Sequence, residues 1–149
     1  MKKILVMGLP GAGKTTLSKQ LAARLQAVHL NADEIRKEIN KDLGFSETDR
    51  IEHAKRMGVL SDIVCRSGGF VVADFVCPTP ETRKAFGLNY FLIWVDRVPC
   101  RDFPDTTKIF VPPTEFHLRV TNDNSPEFWA EAALKLINIK LGLTGVYEI

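Results

Sequence analysis

The chain has 149 residues, 45% of them hydrophobic, with 20 basic and 18 acidic side chains and a net charge of +2. That length suits one domain, 1–149, around one core, and the apolar fraction excludes a disordered chain. The near-balanced charge lacks the clustered basic excess that a nucleic-acid or membrane-surface partner would want.

In chain order, Ile4 to Met7 is a continuous apolar run that stops at a Gly-rich turn, the pattern of a strand buried on both faces. From Lys14 the pattern becomes helical, with Leu17, Leu21 and Leu25 on one face. Val28 to Leu30 reads as a second strand, followed by a helix over about 34–41. Ser46 with Asp49 three residues on is a capping-box signature for a long helix to about Ser67, ended by Gly68 and Gly69. Phe70 to Phe75 is a further buried strand, Pro78 and Pro80 punctuate a turn, a helix runs to about Phe86, and Tyr90 to Val95 is the fourth strand. Four prolines and no periodicity mark Arg97 to Pro113 as a loop. Phe116 to Val120 is the expected fifth strand. Ser125-Pro126 opens a last helix expected to bury Phe128, Trp129, Ala132, Ala133, Leu136 and Ile137.

Strands alternating with helices predict an α/β fold in three layers, a five-stranded parallel sheet with helices on both faces. In such sheets ligands sit beyond the C-terminal ends of the strands, so the Gly-rich turn, residues 31–33 and residues 74–78 should meet at one rim. Cys65, Cys77 and Cys100 are an odd count without a pairing pattern and read as free thiols. The apolar run after Met1-Lys2-Lys3 is too short for a signal peptide, and no stretch approaches the roughly 18 apolar residues of a membrane span. The expected location is the cytoplasm.

Gly8-Leu9-Pro10-Gly11-Ala12-Gly13-Lys14-Thr15 matches the phosphate-loop pattern G-x-x-x-x-G-K-[ST] and lies between a predicted strand and a predicted helix, the context that the motif requires. The glycines let successive amides turn inward around phosphate oxygens, and the following helix adds positive potential. Lys14 is expected on the β- and γ-phosphates of ATP, Thr15 on Mg²⁺, and Thr16 on the α-phosphate. The motif establishes nucleotide binding and leaves the subsequent chemistry open. Past the second strand, Asp33 could take the proton of an acceptor hydroxyl, and Arg36, one turn further, could hold an anion bidentately.

The order and spacing of Gly8 to Thr16, of Asn31-Ala32-Asp33-Glu34-Ile35-Arg36, of Asn40 to Ser46, of Asp49-Arg50 and of Phe75-Val76-Cys77-Pro78 resemble those of the adenylylsulfate kinases. The resemblance is close to about Arg83 and looser beyond. It implies a P-loop kinase fold and phosphorylation by MgATP of the 3′-hydroxyl of adenosine 5′-phosphosulfate. Residue by residue, it assigns Asp33 as the catalytic acid, Arg36 and Arg50 to the phosphosulfate, and Phe45 to one face of the acceptor's adenine. Val76 and Cys77 fall in the acceptor-side turn. Lys108 and Phe110 match a K-x-F after the lid, whose aromatic closes the other face of that adenine. The family commonly forms dimers, although no self-complementary patch is legible here.

Several positions depart from the family. The first acid of its D-G-D motif is Asn31 and the glycine is Ala32; Asp74, at the end of an apolar strand, stands where serine is usual and could restore an acid near Mg²⁺. His53 stands where the family has asparagine beside the acceptor. The lid, within about 97–113, is cut to Cys100 through Thr107, leaving Arg101 to cover the ATP base. Two alternatives stay open: the same chemistry on another small anionic hydroxyl acceptor, and a non-catalytic nucleotide-binding protein.

Overall fold

A computed structural model of the chain describes residues 2–97, 104–121 and 123–142. Five strands, β1 (Lys3–Met7), β2 (Val28–Asn31), β3 (Val71–Asp74), β4 (Phe91–Val95) and β5 (Leu118–Val120), form one sheet in the order β2-β3-β1-β4-β5. Every pairing is parallel. The helices are α1 (Lys14–Leu25), α2 (Ala32–Glu38), α3 (Glu47–Arg66), α4 (Pro80–Phe86), α5 (Pro104–Ile109) and α6 (Pro126–Lys140).

The three layers follow from alternation along the central strand. Ile4 and Val6 point into a core with Leu17 and Leu21 of α1 and with Ala130, Ala133 and Ile137 of α6. Leu5 and Met7 point the other way, into a core with Ala54 and Met57 of α3 and Phe86 of α4. Strands β1 and β3 are buried throughout, as their unbroken apolar runs require. The buried Lys3 is offset by an ion pair of 3.0 Å to Asp62, a hydrogen bond of 2.8 Å donated to Phe86 O and its position over the Phe86 ring.

The caps hold with one variation. Ser46 Oγ accepts from Asp49 N at 3.1 Å, but the Asp49 carboxylate accepts from Gly44 N at 2.8 Å rather than from the Ser46 amide. One half of the capping box closes the helix and the other pins the preceding loop. At α4, Thr79 and Thr82 make the reciprocal box in full. Ser125 caps α6, with Pro126 in its first turn.

Three expectations are corrected. Within the stretch read as loop, Pro104–Ile109 forms α5; six residues are too short for a helical period to register in sequence. Helix α2 begins at Ala32 rather than Glu34, because Asn31 Oδ1 already accepts from Glu34 N at 3.1 Å and caps it there, and it ends at Glu38. The buried stripe of α6 runs through Ala130, Ala133, Leu134 and Ile137, and Phe128, expected inside, is half exposed. Among the described residues, no helix is long and apolar enough to cross a membrane.

Candidate active site

The C-terminal ends of β1, β2 and β3 open into a cavity of about 480 Å³. Part of its lining comes from the turn between Gly8 and Thr15. Gly8 is required by close approach: a Cβ there would lie 2.5 Å from Val95 O on β4. Gly11 and Gly13 take φ values of 76° and 100°, conformations that a Cβ disfavours and that a phosphate-cradling turn commonly uses. Lys14 is buried and donates to Leu9 O at 2.9 Å. Burial lowers its pKa, and the carboxylates of Asp74 and Asp33 act against that loss. Pro10, Gly11, Gly13, Lys14, Thr15 and Thr16 all line the cavity; Gly8, Leu9 and Ala12 do not, and Ala12 packs into the core instead.

One wall is a polar network built across β2 and β3, which are in register at Asn31 and Asp74. Asn31 Nδ2 donates to Thr15 Oγ1 at 3.1 Å and to Asp74 Oδ2 at 3.0 Å. His29 Nε2 lies 3.0 Å from the same Asp74 oxygen, and Asp74 is 2% exposed. Thr15 and Asp74, the two expected metal-side residues, are thus joined by the amide that replaces the family's first acid. The donor set fits magnesium: hard oxygens from a hydroxyl and a carboxylate, one lone pair of Thr15 Oγ1 already committed to Asn31. Among the described residues there is no cluster of three or more His, Cys, Asp or Glu side chains that would form an all-protein metal cage. Mg²⁺ seldom uses such a cage when phosphates and water complete its shell.

Across the cavity lies Asp33, exposed in the first turn of α2. Beyond it, Arg36 donates to Gly44 O at 2.8 Å and Arg50 to Phe45 O at 2.8 Å. Both guanidiniums lie near the Phe45 ring, at 4.4 Å and 5.6 Å from its centre, although Phe45 itself is 68% exposed. Asp49 holds Gly44 N while Arg36 holds Gly44 O, so the loop that presents Phe45 is fixed from both sides. Burial and then the neighbouring Arg50 charge lower the Arg36 pKa, yet a guanidinium stays charged. Two cations beside one aromatic face suit a flat base bearing an anionic tail.

His53 is buried, with Nδ1 2.9 Å from Asn40 Nδ2 and its ring edge-on to Phe75 at 5.9 Å. Arg56 donates to Asn40 Oδ1 at 3.3 Å, which turns the Asn40 amide nitrogen toward His53 and leaves the histidine proton on Nε2. That Nε2 is buried and has no hydrogen-bond partner among the described residues. Burial, with the charges of Arg36 and Arg56 behind it, pushes the His53 pKa down to about 4.

Val76 and Cys77 line the remaining side. Cys77 sits at φ 47°, a left-handed conformation held by Arg83, which donates to Cys77 O at 3.0 Å and to Val111 O at 2.9 Å. Burial pushes the Cys77 thiol up to about 12, so it is an inert wall rather than a nucleophile.

Lys108 and Phe110 are not brought to the cavity. Lys108 is exposed on α5, and Phe110 packs against the core on the α3 face. The expected contact of Arg101 lies outside the described residues. Sequence reasoning missed Thr106, which α5 brings to the cavity and which accepts from Arg50 Nη2 at 3.4 Å. It also missed His29, whose position two residues before Asn31 on a strand was the available signal, and Arg97, which lies against Gly13.

The chain is similar to known proteins in sequence and in fold. The family model for adenylylsulphate kinase matches residues 2–96. An adenylyl-sulfate kinase from Synechococcus sp. (strain JA-3-3Ab) is 38% identical over 98 residues, covering 60% of this chain and 55% of that protein. One from Picosynechococcus sp. is 42% identical over 82 residues, covering 52% and 46%. The chain spans about half the length of the curated relatives it matches. Among solved structures, the APS kinase of Mycobacterium tuberculosis in complex with AMPPNP and APS superposes with a TM-score of 0.82 at 24% identity, covering 92% of this chain and 97% of that one. The match takes in the phosphate loop, the Asp33 turn, the arginine pair and the first four strands, and the chain belongs to the adenylylsulphate kinase family of P-loop kinases.

Proposed function

We propose that the chain transfers the γ-phosphoryl group of MgATP to the 3′-hydroxyl of adenosine 5′-phosphosulfate. The observation that carries this reading is one cavity lined by phosphate-loop residues Pro10, Gly11, Gly13, Lys14 and Thr15, by Arg36 and Arg50 beside Phe45, and by Asp33. The loop amides and Lys14 would hold the triphosphate, with Lys14 exchanging Leu9 O for phosphate oxygens. Arg36 and Arg50 would hold the phosphosulfate and Phe45 would stack on the adenine. His53 Nε2–H would donate to an acceptor oxygen, filling the hydrogen bond it lacks. Asp33 would take the proton of the attacking hydroxyl, aligned with the γ-phosphorus by the two anchored ends. Thr15 and Asp74 would hold magnesium from the protein side, and the ion would supply charge neutralisation for the phosphoryl transfer.

A second reading, another small anionic hydroxyl acceptor, is favoured by one specific observation. Phe110, which the resemblance assigns to the second face of the adenine, packs against the core and does not line the cavity. ADP release measured with adenosine 5′-phosphosulfate and with a panel of hydroxyl acceptors decides between the two. Acceptor-dependent turnover with adenosine 5′-phosphosulfate is the expected result; turnover with a different acceptor alone supports the second reading. ADP binding without any acceptor-dependent turnover would leave a nucleotide-binding protein. Asp33→Asn should lower turnover by about 10²–10⁴-fold, the usual worth of a positioned proton acceptor, while ADP affinity by calorimetry is unchanged.

A further inference from the structure

We infer that His29 is a positioning residue that fixes the Asp74 carboxylate toward the metal bound at the nucleotide phosphates. The inference rests on the MgATP reading above and concerns a side chain that the phosphate-loop pattern does not include.

The geometry is set by two strands. His29 and Asn31 are two residues apart on β2, so both side chains leave the same face, and Asn31 is the direct register partner of Asp74 on β3. His29 Nε2 and Asn31 Nδ2 each lie 3.0 Å from Asp74 Oδ2. The Asn31 amide can point only one way, because its Oδ1 is taken by Glu34 N at 3.1 Å and its Nδ2 also serves Thr15 Oγ1. Either the Nε2–H imidazole or the imidazolium can donate to a carboxylate, so the contact does not depend on the charge of His29.

Two donors on one oxygen hinder the carboxylate from rotating about its last bond and leave Oδ1, which neither of them uses, as the oxygen available to the cavity that Asp74 lines. A lone amide would leave that rotation softer. Asp74 is also the larger of the two carboxylate influences that raise the pKa of Lys14, so its charge already reaches into the phosphate loop. The acid is thus carried by β3 instead of β2, and the residues that hold it come from β2.

The test is calorimetric titration of ADP into the full chain in EDTA and in Mg²⁺, with Mn²⁺ affinity of the protein–ADP complex read by electron paramagnetic resonance. Removing a side chain that orients a metal-side ligand typically costs about 10–100-fold in metal affinity. His29→Leu should weaken Mn²⁺ binding by about 10-fold or more and leave ADP affinity in EDTA unchanged. His29→Gln, whose Nε2 donates over a similar reach, should recover most of the loss. Asp74→Asn should show the same loss, and the His29→Leu/Asp74→Asn double variant should add little, since both changes break one unit. The inference is overturned if His29→Leu keeps wild-type Mn²⁺ affinity, if ADP affinity falls equally with and without metal, or if the two substitutions add. Failure of the wild type to bind ADP in either buffer would instead sink the nucleotide reading, and this inference with it.

Discussion

At Nδ1, His53 accepts from Asn40; at Nε2 its proton meets no partner among the described residues, and burial, with the charges of Arg36 and Arg56 behind it, disfavours a second proton on the ring. The folded pKa of about 4 lies below the ordinary 6.5, so unfolding takes up a proton wherever the pH lies between the two. Stability from this group is therefore complete above pH 6.5 and is lost progressively as the pH falls toward 4, by about 3 kcal/mol in all. Urea denaturation at pH 7.5 and pH 4.5 should show a steeper loss for the wild type than for His53→Asn, which has nothing to protonate. Equal losses would mean that His53 titrates freely. At this scale the sequence was informative where a residue type names its own chemistry: Lys14, Thr15, Asp33, Arg36 and Arg50 all line the cavity. It was silent on roles created by contact, such as Asn40 fixing the tautomer from 13 positions away or Asn31 joining Thr15 to Asp74. Asn31 could be read as a lost charge; that its nitrogen becomes a bridge depends on the cap at Glu34, a property of the folded helix end.

Helices α3 and α4 approach so closely that a Cβ at Gly58 would lie 2.2 Å from Phe86 O. Alanine normally improves a helix interior over glycine by about 1 kcal/mol. Here the added atom meets backbone, which cannot swing aside, and forced overpacking costs about 1–3 kcal/mol. Gly58→Ala should therefore lower the urea midpoint despite its better helix propensity; a raised midpoint would show that the two helices can separate without cost. Element existence was largely legible because long periodic or unbroken apolar runs announce themselves, as in Leu17–Leu21–Leu25 or Ile4 to Met7. The short α5 was not. α5 has only six residues, yet it brings Thr106 to the acceptor side, and the same stretch keeps Phe110 away from it. The buried stripe of α6 was misjudged at Phe128 because composition marks a residue as apolar without saying which side of the helix meets the sheet.

The alternation of strands and helices was enough to foresee a parallel sheet with its ligand rim at the strand ends, and the rim assembled as expected. The strand order β2-β3-β1-β4-β5 was not legible, because it depends on pairings between segments far apart in sequence. Among the described residues, that order leaves β2 at the margin, paired with β3 and only four residues long. Its tip nevertheless carries Asn31 and, two residues on, Asp33. Under the MgATP reading, a nucleotide seated against Thr15 draws on the same bridge that ties this strand to its neighbour. Fraying of the margin and occupancy of the phosphate loop should then oppose each other. Hydrogen exchange of amides 28–31 is expected to slow when Mg²⁺ and ADP are added, and exchange that stays the same would show the strand to be indifferent to the ligand. On that reading a weakly secured border strand would be a poor support for catalysis by itself; its stiffness would be lent by the substrate, and the proposed proton acceptor would be held most firmly when there is a phosphoryl group to transfer.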